Sequence, residues 1–146
     1  MKTTWILIAN AHRARCFARQ QGEHGLVELA DFVNPRVEQG ILKEQRSKGH
    51  GRTGHAGTQF EASTNAQTKQ RHDFAKRLAD YLNRGVNDHL CDSLVLIATS
   101  PMLGELRPCL TDAAGKMLEQ CIAGDFTSYL GPDLESRVER ALALPN

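Results

Sequence analysis

The order of apolar segments along this chain predicts a single α/β domain, residues 1–146, with a mixed sheet of about five strands flanked by helices. Three observations carry the prediction. Three short strand-like runs separated by tight turns open the sequence. Two more, SLVLIA at 93–98 and LEQCIA at 118–123, come late, and segments of helical period fall between and after them. Strands first and βα alternation later is the signature of a mixed sheet with helices packed on it.

Residues 4–9 (TWILIA) form a continuous apolar run, as expected of a strand buried on both faces. Asn10-Ala11-His12 reads as a turn, and 14–20 (ARCFARQ) as the returning strand. A second turn spans Gln21 to Gly25, where glycine supplies positive φ. Residues 26–33 (LVELADFV) make a third strand, stopped by Asn34-Pro35. Two short turns between three strands predict an antiparallel meander.

After a long interruption comes the clearest helix. Thr64 with Gln67 forms a capping box, and Thr68 is an equal alternative as the cap. Phe74, Leu78, Tyr81 and Leu82 recur at helical spacing, and Gly85 stands where a C-terminal cap glycine would. Strand 93–98 is followed by Pro101 at the first helical position, with Ser100 as N-cap. That helix runs to about Leu110, interrupted or kinked near Pro108. A short helix covers 111–117, then strand 118–123, and Pro132 opens a last helix in which Leu134, Val138, Ala141 and Leu142 share a face.

The interruption, about residues 34–63, holds the most telling stretch. GILKEQRSKGHGRTGHAGTQ (40–59) has no hydrophobic period, and Gly40, Gly49, Gly51, Gly54 and Gly57 alternate with Lys43, Arg46, Lys48, His50, Arg52 and His55. Such a segment buries too little surface to offset the entropy of ordering it. Connections in compact domains run to roughly 4–6 residues, and much longer ones are usually functional or disordered. The net charge of the whole chain is only +1, so attraction for phosphate has to be local. Lys43, Arg46, Lys48 and Arg52 are the residues that would neutralise phosphates, and protonation of His50 and His55 would add to them in mild acid. Only Phe60 is near enough to stack on a base, so contact would be to phosphate or shape. The bland alternative is a solvated loop whose charge aids solubility.

Other chemistry is sparse. If strands 4–9 and 93–98 are neighbours, the turns at Asn10 and Ser100 meet at one sheet edge, where α/β sheets tend to bind ligands. Arg13 or Arg107 could then supply charge; the alternative is a plain cap at Ser100 and a solvated Arg13. There is no catalytic triad spacing, no Walker loop and no metal-ligand spacing, so no cofactor is expected. The four cysteines (Cys16, Cys91, Cys109, Cys121) are far apart and favour reduced, idle thiols. The apolar run near the start is too short for a secretory leader, and no run approaches the ~20 residues that cross a bilayer. A cytoplasmic protein with no membrane role is expected.

Taken together, WILIANAHRARCF, the Gly/basic loop, FAKRLADYLN, LVLIATSPMLGELR and AGDFTSYLGPDLESRVERAL resemble the bacterial host attachment protein family. That family is also described as bacterial relatives of the archaeo-eukaryotic peptide-release-factor middle domain, and the resemblance covers nearly the whole chain. Many members carry Asp where Asn10 stands, and Lys-Asp-Leu-Thr where this chain reads Gly124-Asp125-Phe126-Thr127. The resemblance implies a release-factor-middle-domain-like fold and an association with translation. Release factors place Gly-Gly-Gln on the loop before a long helix, and the similarly placed residues here are Gly57-Thr58-Gln59. Thr58 replaces the second glycine, and a β-branched residue resists the positive φ that glycine permits.

Three functions follow as expectations. The first is an RNA- or ribosome-associated protein, without established catalysis, whose loop 40–59 binds the phosphate backbone of tRNA or rRNA. The second is a peptidyl-tRNA or related ester hydrolase in which Gln59 orients a water or an ester, since its amide both donates and accepts. The third is a protein–protein interaction module, including a homo-oligomer, to which the attachment label would point.

Overall fold

The computed structural model describes residues 2–35 and 56–144, with side chains from residue 65 onward in the second stretch. It contains β1 (Thr3–Ala9), β2 (Arg13–Gln20), β3 (Val27–Val33), α1 (Ala56–Asn87), β4 (Ser93–Ala98), α2 (Ser100–Leu106), a 3-10 turn (Arg107–Cys109), α3 (Asp112–Met117), β5 (Leu118–Ala123) and α4 (Gly131–Ala143). The five strands form one sheet in the order β3-β2-β1-β4-β5. β1 pairs antiparallel with β2 and β2 with β3, while β4 lies parallel to both β1 and β5. The mixed five-stranded sheet and the N-terminal meander are as the sequence predicts.

β1 and β4 occupy the middle of the sheet because they are apolar on both faces. Trp5, Leu7 and Ala9 join Leu94, Leu96 and Ala98 in the core beneath α1. Ile6 and Ile8 join Val95 and Ile97 beneath α4. Each such large side chain removed from water contributes about 1.5–3 kcal/mol. α1 brings Phe74, Ala75, Leu78, Leu82 and Val86 to the first core, and α4 brings Leu134 and Val138 to the second.

Three local expectations need correction. α1 begins at Ala56, inside the stretch assigned to the 34–63 interruption, so neither Thr64 nor Thr68 is its cap. Asn34 Nδ2 donates to the Gln70 carbonyl (3.4 Å), so α1 passes the end of β3 near its fifteenth residue. The residues before that point overhang the sheet by about 21 Å at 1.5 Å per residue. Residues 65–69 are accordingly all exposed.

Gly85 is not the end of α1. A Cβ there would stand 2.2 Å from the Trp5 ring, so glycine is needed for the indole to lie against the helix. The helix stops two residues later instead, at Asn87. Leu90 N–H donates to the Gly85 carbonyl (2.9 Å) and His89 N–H to the Val86 carbonyl (3.1 Å), with His89 at φ 59°. That is a Schellman cap with histidine in the position glycine usually fills.

The third correction concerns α2: its N-cap is Thr99, whose carbonyl already accepts from Leu103 N–H (2.9 Å), with no side-chain cap. Ser100 is therefore the first helical residue. The expected interruption near Pro108 is present: the helix stops at Leu106, because Pro108 has no amide to continue the ladder, and the chain tightens into a 3-10 turn through Cys109.

Candidate functional site

β1 and β4 are neighbours, with Ala9 opposite Ala98. The turns that follow them therefore meet at one edge of the sheet. β2 starts at this edge and β3 ends at it, with Arg13 opposite Val33. β5 also ends here, since Gly124 N–H donates to the Ala98 carbonyl (2.9 Å). The expected pairing of Asn10 with Ser100 at one edge is thus realised, and it is the carboxyl end of the parallel strands, at the point where the strand order reverses.

Asn10 is the hub of this edge. Its Oδ1 accepts from the backbone N–H of His12 (2.8 Å) and Arg13 (2.9 Å), which closes the β1–β2 turn. Its Nδ2 donates to Asp125 Oδ2 (2.9 Å) and Thr127 Oγ1 (3.1 Å). Asp125 Oδ1 in turn accepts from Thr127 N–H (3.0 Å) and from Thr127 Oγ1 (2.6 Å). Partial burial pushes the Asp125 carboxyl up, but the bonds from Asn10 and Thr127 and the nearby His12 outweigh it, so it lies below its ordinary value.

An amide at position 10 is what this arrangement requires. It donates to the carboxylate on one side and accepts two amides on the other, which a carboxylate could not do together. Asn10 therefore works as a clasp between the first turn and the end of β5. Sequence reading found Asn10 but missed Asp125 and Thr127, which stand 115 and 117 residues away.

Arg13 and His12 are exposed at this edge, and so is Ser100. Arg107 is not brought to it: it follows α2 at the end away from Ser100, close enough to Cys121 to act on that thiol. Lys43, Arg46, Lys48, His50, Arg52 and His55 lie outside the described residues. Gln59 sits in the first turn of α1 rather than on a loop ahead of it. Among the described residues no three His, Cys, Asp or Glu side chains are grouped to hold a metal ion.

A second site went unread in the sequence. Arg15 is buried on β2, where its Nε and Nη2 donate to the two carboxylate oxygens of Glu28 (3.1 and 3.2 Å) and its Nη1 donates to the Tyr129 carbonyl (2.9 Å). The group lies 4.9 Å from the Phe17 ring. All three guanidinium nitrogens are thus engaged, which ties β2, β3 and the approach to α4 together.

The cysteines are free thiols. Burial pushes Cys16 up to about 12, with Cys91 adding to it, and Cys91 up to about 11, with Asp92 adding to it. Neither is a nucleophile at neutral pH.

The family model described as "Protein required for attachment to host cells" matches residues 5–138. The chain belongs to this family. The match runs from β1 into α4 and so takes in the whole sheet and the Asn10–Asp125–Thr127 clasp. No curated protein matches. Among solved structures, the Ppx/GppA phosphatase of Aquifex aeolicus in its type II crystal variant is similar, with 9% identity and a TM-score of 0.39, over 84% of this chain and 36% of that one. The host-attachment chain thus spans about a third of the phosphatase's length, and a likeness this distant says nothing of activity. No described helix is long and apolar enough to cross a membrane.

Proposed function

We propose that this host-attachment-family protein binds the phosphate backbone of RNA, on a tRNA or on the ribosome, through the basic Gly-rich segment 40–59. One observation carries the reading: the described chain stops at Pro35 on the carboxyl edge of the sheet and resumes at Ala56, the first residue of a helix that overhangs the same edge. Within residues 36–55, five Lys or Arg residues (Arg36, Lys43, Arg46, Lys48, Arg52) outnumber two glutamates, Glu38 and Glu44. The rest of the chain has a net charge of −2 against +1 for the whole, so cationic attraction is concentrated there. Exposed Arg13 and His12 would extend it onto the edge. The reading includes kinship with release-factor middle domains and action in the cytoplasm, where the thiols stay reduced.

The test is binding of deacylated tRNA and of purified ribosomes across a salt series. Neutralising Lys43, Arg46, Lys48 and Arg52 together flattens the log–log salt dependence by roughly 3, from about 0.7 per phosphate contact on single strands. Gln59→Ala leaves affinity unchanged, because the reading is one of binding and not of ester hydrolysis. Association that is absent at low salt, or that survives the fourfold neutralisation, sinks it.

A further inference from the structure

β3 forms a lateral edge of the sheet, two strands from β1, and pairs with no further strand among the described residues. Natural edge strands are often blunted by charge, above all lysine, by proline or by a bulge; Val27–Val33 has a bulge and two carboxylates, Glu28 and Asp31, but no proline and no lysine to repel a cationic partner. It exposes apolar side chains instead, with Val27 at 64% and Leu29 at 41% of full exposure. Between Cys16 and Phe17 the β2–β3 register slips and leaves Leu29 without a partner. Leu29 then joins Trp5, Tyr81, Gly85 and Leu90 in lining an open groove of about 410 Å³ beside the strand. Its floor is aromatic: the Trp5 and Tyr81 rings stack with centroids 5.3 Å apart. Leu90, at the cap of α1, is 57% exposed.

The charges say what fits. Asp88 lines the groove with Arg84 as its only cation, and Asp31 on the strand and Glu23 before it are exposed. None of these three carboxylates has an ion-pair partner among the described residues. Glu28 is already paired with Arg15, but a second copy would set one strand bearing unpaired Asp31, and no cation, against another like it, which like-charge pairing disfavours.

We propose that the β3 edge and the Trp5–Tyr81 groove bind an extended segment of a partner protein in which apolar residues alternate with lysine or arginine. Backbone bonds to the edge supply affinity, and one apolar side chain anchors in the groove. The groove lies toward the starts of β1 and β3, at the opposite end of the strands from the edge assigned to RNA.

Trp5 is the only tryptophan in the chain, so its fluorescence reads occupancy directly. The full-length protein is titrated with an eight-residue peptide alternating valine and lysine, and with its valine–glutamate counterpart. The lysine peptide gives a saturable shift in emission that weakens with salt, and the glutamate peptide gives none. Leu29→Lys lowers the affinity by about tenfold or more, the scale of losing one anchor. Its melting curve shows that the variant still folds. Equal response to both peptides, or no saturable response, overturns the proposal. So does concentration-dependent dimerisation abolished by Leu29→Lys, since the occupant would then be a second copy.

Discussion

On one face of the sheet, α1 lays Phe74, Leu78, Leu82 and Val86 against Trp5, Leu7, Leu94 and Leu96, with Met102, Leu106 and Ala114 from the two short helices closing the layer. On the other, only Leu134 and Val138 of α4 are fully buried against Ile6, Ile8, Val95 and Ile97. The difference is geometric. Five strands at about 4.8 Å spacing make a surface roughly twice as wide as one helix with its side chains. Where α4 leaves β2 and β3 uncovered, ion pairs take over. Arg15 pairs with Glu28, and Arg19 and His24 both meet Glu139 (2.8 Å each). Leu26 N–H donates to Glu135 (3.0 Å). One face is sealed by packing and the other is latched by charge.

The comparison breaks most readily at the packed face. Leu78→Ala leaves a cavity where α1 meets the sheet and costs about 3 kcal/mol, read as a lowered urea midpoint with an unchanged slope. Arg15→Ala should cost less, about 2 kcal/mol, because it strands the Tyr129 carbonyl and a carboxylate that is still partly in water. Arg15→Met, which keeps the stem packed on Phe17, should recover part of that loss. A larger effect at Arg15 than at Leu78 would reverse the contrast drawn between the faces.

The smallest effect is the pH dependence. Asp125 and Glu139 both lie below their ordinary values, Asp125 through the bonds from Asn10 and Thr127 that outweigh its burial, Glu139 through the bond from His24 and then Arg19. A carboxyl with a depressed folded pKa adds stability above its unfolded pKa and loses it as pH falls through the folded one. Melting temperature should therefore fall below about pH 4, and Asp125→Asn should make that fall shallower. An unchanged acid limb would mean that the clasp at Asn10 holds geometry without holding charge.

The strands could be read from the sequence almost to the residue, because runs such as SLVLIA are buried on both faces and nothing else explains them. The start of α1 could not. Hydrophobic period records packing, and the first turns of α1 overhang the sheet, so they carry none to detect. Gly85 was misread for a related reason: a glycine near a helix end looks like a cap until the Trp5 ring is seen against it. Arg15 reads as a surface residue by type, and only the arrival of Glu28 and Tyr129 makes it an interior one. At the candidate site, the Asn10 turn is local and was visible. Asp125 and Thr127 reach it through the sheet topology, which no short window contains.

The overhang of α1 has a mechanical consequence. A rod rooted near Gln70 and about 21 Å long is a lever arm, and a 10° swing at its root carries the tip through roughly 4 Å. Small adjustments where Asn34 holds the rod would thus be magnified at its far end, making Asn34 the fulcrum through which the body sets the aim of whatever the tip carries.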